Sequence, residues 1–434
     1  MSTFIIKGGK TLRGSIETSS GKNAPIAVLC AALLVKGTVV LKDMTRVEEV
    51  ERMLEILKSI GVVYIWKDET TLFLDTRKNF TMKTIDKKAC EITRASLLLM
   101  GALAARESSY KLYHSGGCAL GERTVLPHLL ALQELGMKID SKDGHYNVKT
   151  KKLKAANIVM YESGDTATEN AVMAAVLAPG VTTITMASAN YMVQDVCFFL
   201  QKAGAKIAGV GTTTLTITGV RSLKSVKEYY ISPDPVNAMA WISLAIATKS
   251  PLTIKHCPLP FLELELLKLK VMGQKFTLRN KRKSKNGRIP LADIKMIPSI
   301  LTALPDKLYG RPFPGLNIDN VPLFLPILIQ AKGTTLVHDW CYENRAIYYL
   351  ELQKLGAHVT LLDPHRATVE GPTVLKPNEL DCPPAIRPGM AIFIAMLAAK
   401  GKSVLHHCYP LERAYDDLLG RLKKVGAEIE RIDA

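Results

Sequence analysis

The 434-residue sequence predicts an α/β protein of two lobes, each assembled from three related modules. Three observations lead there. A helical phrase ending Leu-x-x-apolar-Gly, followed two or three residues on by a strand-forming apolar residue, occurs six times. The copies are Leu57/Gly61/Val63, Leu132/Gly136/Ile139, Leu200/Gly204/Ile207, Leu269/Gly273/Phe276, Leu352/Gly356/Val359 and Leu422/Gly426/Ile429. Their glycines lie 75, 68, 69, 83 and 70 residues apart, and recurrence at a near-constant period marks a repeat architecture. A second phrase precedes most copies: an Ala/Leu-rich run, a Gly or polar turn, then a short strand, as at 31–41, 174–184, 327–337 and 395–405. Composition agrees, because 47% hydrophobic with only 6% aromatic residues fits cores built on Leu, Ile, Val and Ala.

Residues 25–74 show the elements of one module in order. Pro25 to Leu34 is apolar almost all round, which predicts a buried helix. Gly37 follows its end, and the β-branched stretch Thr38 to Leu41 reads as a strand. Val47, Val50, Met53, Leu54, Leu57 and Ile60 then recur three or four apart, the spacing of one helix face. Gly61 stops that helix, Val62 to Trp66 is a strand, and Leu72 to Leu74 begins another. Each module thus has two helices and about four strands, with apolar surface it cannot cover alone. Three modules packed helices-inward would cover it. Three glycine phrases precede residue 232 and three follow it, so Ile231-Ser-Pro-Asp-Pro235 is the expected crossing between lobes.

The bulk properties exclude several classes. The longest apolar runs, 96–105 and 391–399, fall well short of the roughly 20 residues of a membrane span and read as buried helices. The N-terminus lacks a charged leader followed by an apolar core, so no secretory signal is expected. Eight scattered cysteines without a Cys-x-x-Cys pair predict neither a zinc site nor a disulfide framework, and a reducing cytoplasm. The net charge of +17 fits nucleic acid or anionic small molecules as partners. Much of it sits in 275–288, where Asn286-Gly287 signals a turn, so the run reads as an exposed hairpin tip. Phe276 is its only aromatic residue, whereas nucleic-acid stacking platforms use several; nucleic acid is therefore not the expected partner.

The densest chemical signal is His114-Ser-Gly-Gly-Cys118-Ala-Leu-Gly121-Glu-Arg123. Its glycines let the chain bend and expose N–H groups to an anion. Cys118 alone among the cysteines is framed by glycines, and a nearby Arg would lower the pKa of such a thiol. Gly21-Lys22-Asn23-Ala24 precedes the first buried helix, where a cation beside free N–H groups can hold phosphate, though a solvated lysine is the commoner case. Arg94, Arg123, Arg387 and Arg413 fall near loop or helix starts; singly they are surface charges, together a clamp for phosphate and carboxylate. Asp319 follows the turn-rich Pro312-Phe-Pro-Gly315 and reads equally as a functional acid or a helix cap. The Gly9-Lys10-Thr11 stretch lacks the earlier glycine of a P-loop, and Gly209-Val-Gly211 lacks the third glycine of a dinucleotide fingerprint.

As an ordered set these residues resemble the UDP-N-acetylglucosamine enolpyruvyl transferases over essentially the full length. The resemblance rests on Ser20-Gly-Lys22-Asn23-Ala24, Arg94-Ala-Ser96, Gly116-Gly-Cys118-x-x-Gly121-x-Arg123, Asp319, Glu343-Asn344-Arg345, Arg387 and Arg413-x-Tyr415. It implies three βαβαββ repeats per lobe, an inside-out α/β barrel, with the active site in the cleft between lobes. Lobe 1 would be 22–232, and lobe 2 would be 1–21 with 233–434. It further implies transfer of the enolpyruvyl group of phosphoenolpyruvate to the sugar 3′-hydroxyl by addition and elimination, starting peptidoglycan synthesis. Lys22, Arg123 and Arg413 would hold the phosphate, and Arg387 and Arg413 the carboxylate. Cys118 would protonate the methylene carbon and Asp319 would take the hydroxyl proton. Further substrate contacts would come from Asn23, Arg94, Thr124, Val125, Leu126, His128, Ser163, Gly164, Asp165, Thr166, Cys341 and Arg345. No cofactor or metal is implied, and no membrane partner.

The chain departs from this pattern where the nucleotide would sit. Leu126 stands where the family has an Asp contacting uracil, the segment 163–168 differs, and Asp234 is followed by Pro235 in place of Arg. Weakened or altered nucleotide recognition is therefore expected. Three alternatives compete: the sister 3-phosphoshikimate 1-carboxyvinyltransferase, whose usual Gly-Ser-Lys-Ser and Asn-Ala-Gly-Thr stretches are absent here, an enolpyruvyl transferase with an altered acceptor, and a basic nucleic-acid-binding relative.

Overall fold

The computed structural model describes residues 2–116 and 124–433. The chain forms two compact units, one from 2–19 with 233–433, the other from 20–116 with 124–232. Cys118, Arg123, Gly117 and Gly121 lie outside the described residues.

In the unit of 20–232, three sheets surround buried helices. The first module shows the logic. Helix Asn23–Ala32 is buried from Ala24 onward and leads to strand Thr38–Lys42. Amphipathic helix Glu48–Ser59 buries Val50, Met53, Leu54, Ile56 and Leu57, then the chain returns as antiparallel strands Val63–Trp66 and Leu72–Asp75. Strand Val226–Tyr230 closes the sheet parallel to Thr38–Lys42. The third module repeats this with Asn157–Val159 parallel to Val181–Thr185, followed by Thr214–Thr218 and Lys206–Ala208. The second, Ser109–Tyr113, His145–Thr150 and Met137–Lys142, forms a three-stranded sheet. Burial alternates along most strands, so one face of each sheet lies toward the helices and the other toward water. Helices Asn23–Ala32, Leu99–Leu103 and Asp165–Ala175 pack against one another at the centre.

The unit of 233–433 is built alike. Helices Pro235–Ala247, Val321–Leu328 and Ile386–Ala398 are buried at almost every position and touch one another. Asp234 caps the first, accepting the Val236 N–H at 2.8 Å ahead of Pro235. Two of its sheets borrow strands from the N-terminus. Ser2–Gly8 inserts between Gly401–His406 and Glu428–Asp433, and Ser15–Glu17 lies parallel to Thr253–Pro258. Among the described residues no helix is long and apolar enough to cross a membrane.

The glycine phrase has a structural meaning. All six glycines adopt positive φ, from 86° at Gly356 to 103° at Gly204. In five copies the next residue's N–H bonds the phrase's own leucine carbonyl: Val62 to Leu57, Ala205 to Leu200, Gln274 to Leu269, Ala357 to Leu352 and Ala427 to Leu422, at 2.9–3.1 Å. These are Schellman closures, which need a residue without Cβ strain at the left-handed position. In the first copy the phrase is offset by one residue: Val63 is exposed and Val62 is the buried one.

The basic run is also larger than a hairpin tip. Its first nine residues form edge strand Lys275–Lys283, paired with Pro290–Ile297, and the turn covers only 284–289. Charges along an edge strand discourage pairing with another chain. Arg282 turns inward to Asp293 at 2.8 Å.

Candidate functional site

The candidate residues fall into two sets, one in each unit. In the unit of 20–232, Lys22 sits half-buried at the N-terminus of helix Asn23–Ala32, whose first turn holds no acidic residue. The helix start is tied down by Thr45 Oγ1, which donates to the Gly21 carbonyl, and by Ser20 Oγ, which donates to the Asp43 carbonyl at 2.7 Å. The positive end of the helix dipole thus coincides with a lysine, an arrangement suited to an anion.

Gly116 is required for a reason other than flexibility. A Cβ there would lie 1.8 Å from the Glu91 carbonyl oxygen, so only glycine lets the chain pass this close. Beyond the undescribed stretch, Arg94 Nη2 donates to the Thr124 carbonyl at 2.9 Å, and the Leu126 N–H bonds Thr124 Oγ1 at 3.1 Å. Arg94 therefore anchors the segment that carries Thr124, Val125 and Leu126. Thr124 and Leu126 are exposed, and Val125 is half-buried.

His128 is buried, and its ring is engaged by the protein itself. Asn170 Nδ2 donates to Nδ1 at 2.8 Å, and Thr166 Oγ1 lies 3.4 Å from Nε2. Burial, reinforced by the Arg94 charge, pushes its pKa down to about 4. It contacts Thr166 as a neutral ring. Asp165 begins helix Asp165–Ala175, and its carboxylate accepts Ser188 Oγ at 2.5 Å and Asn190 Nδ2 at 3.0 Å. Ser163 and Gly164 are half-buried just before it, and Thr166 is exposed.

In the unit of 233–433 the structure gathers what the sequence scatters. Asp319 lies between two buried guanidiniums: Arg345 Nη1 is 3.5 Å from Oδ1 and Arg387 Nε is 3.3 Å from Oδ2. The Asp319 side chain stays about a quarter exposed, 24%, so its oxygens remain reachable. Arg387 Nη1 donates to the Tyr415 hydroxyl at 3.0 Å. Burial desolvates Arg387, but the Asp319 and Asp234 carboxylates and the hydrogen bond to the neutral Tyr415 hydroxyl outweigh that and hold it cationic. Arg413, two residues before Tyr415, places its guanidinium 5.9 Å from the Tyr409 ring. Cys341 is exposed on the turn after strand Ala331–His338. Sequence reasoning missed Asp339 and Tyr349, which enclose Arg345. The available signal was an Asp directly after a predicted strand and six residues before an arginine. Among the described residues no group of His, Cys, Asp and Glu is arranged to hold a metal.

The family model described as EPSP synthase (3-phosphoshikimate 1-carboxyvinyltransferase) matches residues 6–422. A protein of Treponema denticola named UDP-N-acetylglucosamine 1-carboxyvinyltransferase is 35% identical over 99% of both chains. The chain belongs to the UDP-N-acetylglucosamine 1-carboxyvinyltransferase family. A Borreliella burgdorferi member of the same name is 33% identical, covering 100% of this chain and 99% of its own. Among solved structures, the enolpyruvyl transferase NikO from Streptomyces tendae superposes with a TM-score of 0.85 at 22% identity, over 100% of this chain and 99% of that one. EPSP synthase from Acinetobacter baumannii gives a TM-score of 0.75 at 17% identity over 100% of both. These two likenesses establish the enolpyruvyl transferase fold.

Proposed function

We propose that this family member transfers the enolpyruvyl group of phosphoenolpyruvate to the 3′-hydroxyl of UDP-N-acetylglucosamine, releasing phosphate, in the cytoplasmic first step of peptidoglycan synthesis. The observation that carries this reading is full-length identity of 35% to a relative of that name, with Lys22, Cys118, Asp319 and the arginines all present. Asp319 takes the hydroxyl proton as the sugar oxygen bonds C2 of phosphoenolpyruvate, while the Cys118 thiol delivers a proton to C3. Loss of a C3 proton and departure of phosphate then restore the vinyl group. Lys22, Arg123 and Arg413 neutralise the phosphate, and Arg387 with Arg413 the carboxylate. Asn23, Arg94, Thr124 to Leu126, Ser163 to Thr166 and Cys341 line the acceptor, with His128 as support and Arg345, itself buried, acting through Asp319.

The test is phosphate release from phosphoenolpyruvate with UDP-N-acetylglucosamine, with shikimate 3-phosphate and with no acceptor. Release with the UDP-sugar alone, falling about 100-fold or more in Cys118→Ala, is expected. Release with shikimate 3-phosphate alone, or none with either acceptor, would overturn the proposal.

A further inference from the structure

Behind Asp319 lies a second layer of buried charge. Asp339, Arg345 and Tyr349 are all removed from water. Arg345 donates to Asp339 twice, from Nε to Oδ2 at 2.6 Å and from Nη2 to Oδ1 at 2.5 Å. The Tyr349 hydroxyl also donates to Asp339 Oδ2. Arg345 Nη2 further bonds the carbonyl of Ile318, the residue before Asp319, at 2.6 Å. Asp339 is itself anchored by its N–H, which bonds the His365 carbonyl at 2.7 Å.

Burying an ion pair gains little stability over an apolar pair, because desolvation offsets the attraction. Its distinctive property is direction: a planar guanidinium bonded on two edges has one orientation left. Here that orientation presents Nη1 to Asp319 Oδ1, while Nη2 fixes the backbone one residue earlier. Arg387 holds the other oxygen, backed by Tyr415.

We infer that Asp339 and Tyr349 are positioning residues that fix Arg345, and through it the Asp319 carboxylate, for proton transfer. The inference rests on the role proposed for Asp319. Misplacing a reacting group by about 1 Å costs on the order of 100-fold in rate. Asp339→Asn is therefore expected to lower kcat about 10- to 100-fold with little change in KM for either substrate. Tyr349→Phe removes one hydrogen bond, keeps both charges, and should lower kcat about fivefold.

The experiment is a double-mutant cycle in the phosphate-release assay, with circular dichroism melts of each variant. If Asp339 acts through Asp319, Asp339→Asn will cost nothing further in an Asp319→Asn background. A loss that persists undiminished there would overturn the inference, as would folded single variants that match the parent's kcat. Absence of turnover in the unaltered chain would instead sink the functional reading, and the positioning role with it. The two failures are thus distinguishable.

Discussion

Leu126 tests how far one side chain can set acceptor affinity. It is exposed, at 40%, on a segment anchored by Arg94, and an alkyl group there offers uracil no hydrogen bond. Leu126→Asp should tighten UDP-N-acetylglucosamine binding about fivefold by calorimetry, the worth of one added hydrogen bond. An unchanged affinity would remove this residue from nucleotide recognition. Glu169 is a different case. It is buried in helix Asp165–Ala175 with Oε1 unpartnered, and desolvation, aided by the Asp165 charge, raises its pKa well above the usual carboxyl range. The folded state therefore keeps a proton that the unfolded state loses above about pH 4.3. The associated stability is fully present below that pH and declines as pH rises toward the folded pKa, by up to about 1.4 kcal/mol per pH unit. Glu169→Gln lacks this decline, so its thermal midpoint should gain on the parent's between pH 5 and pH 8. A constant difference across that range would refute the buried-acid assignment.

At the scale of elements, the two kinds of glycine separate backbone strain from packing. Gly426 closes helix Leu418–Lys424 at φ 95°, with nothing within 4 Å of where an alanine methyl would stand. Gly426→Ala should cost only the left-handed strain, about 1 kcal/mol. Gly101 lies inside helix Leu99–Leu103, where a Cβ would stand 2.3 Å from the Asn170 carbonyl oxygen. Asn170 cannot yield freely, because it also bonds the Gly101 N–H, the Leu97 carbonyl and His128. Gly101→Ala should therefore cost about 3 kcal/mol, and urea unfolding midpoints of the two variants would show the contrast. Equal losses would mean that the central helices can separate without penalty.

At the scale of the whole molecule, the order of strands and the order of sequence differ. Strand Ser2–Gly8 lies between neighbours that begin at 401 and 428, and Ser2 pairs with Asp433. The two ends of the described chain are thus antiparallel partners, which a two-residue Asn-Gly turn can join. A circular permutant joined there and opened between Asn286 and Gly287, at an exposed turn, should show one cooperative melt and retain phosphate release. Removing residues 1–19 instead takes out an internal strand and an outer one, and the unit of 233–433 should then fail to fold. A permutant that does not fold would show that Ser2–Gly8 must enter its sheet from a free end.

What the sequence alone determined was local and periodic. The Leu-x-x-x-Gly phrase specified six helix ends, because a left-handed closure demands glycine at one position whatever surrounds it. All-apolar runs such as 235–247 specified central helices, because no face of them tolerates water. The ordered set of lysine, arginine and Asp319 specified the family. Tertiary structure decided the rest. A period-two pattern says which strand face is buried but not which strand lies alongside, so nothing local joins Phe4 to Leu405. Nor does any local rule bring Asp339 and Arg345 behind Asp319, or bury His128 against Asn170. Those pairings exist because buried charge and buried imidazole must find partners, and only the packed chain supplies them.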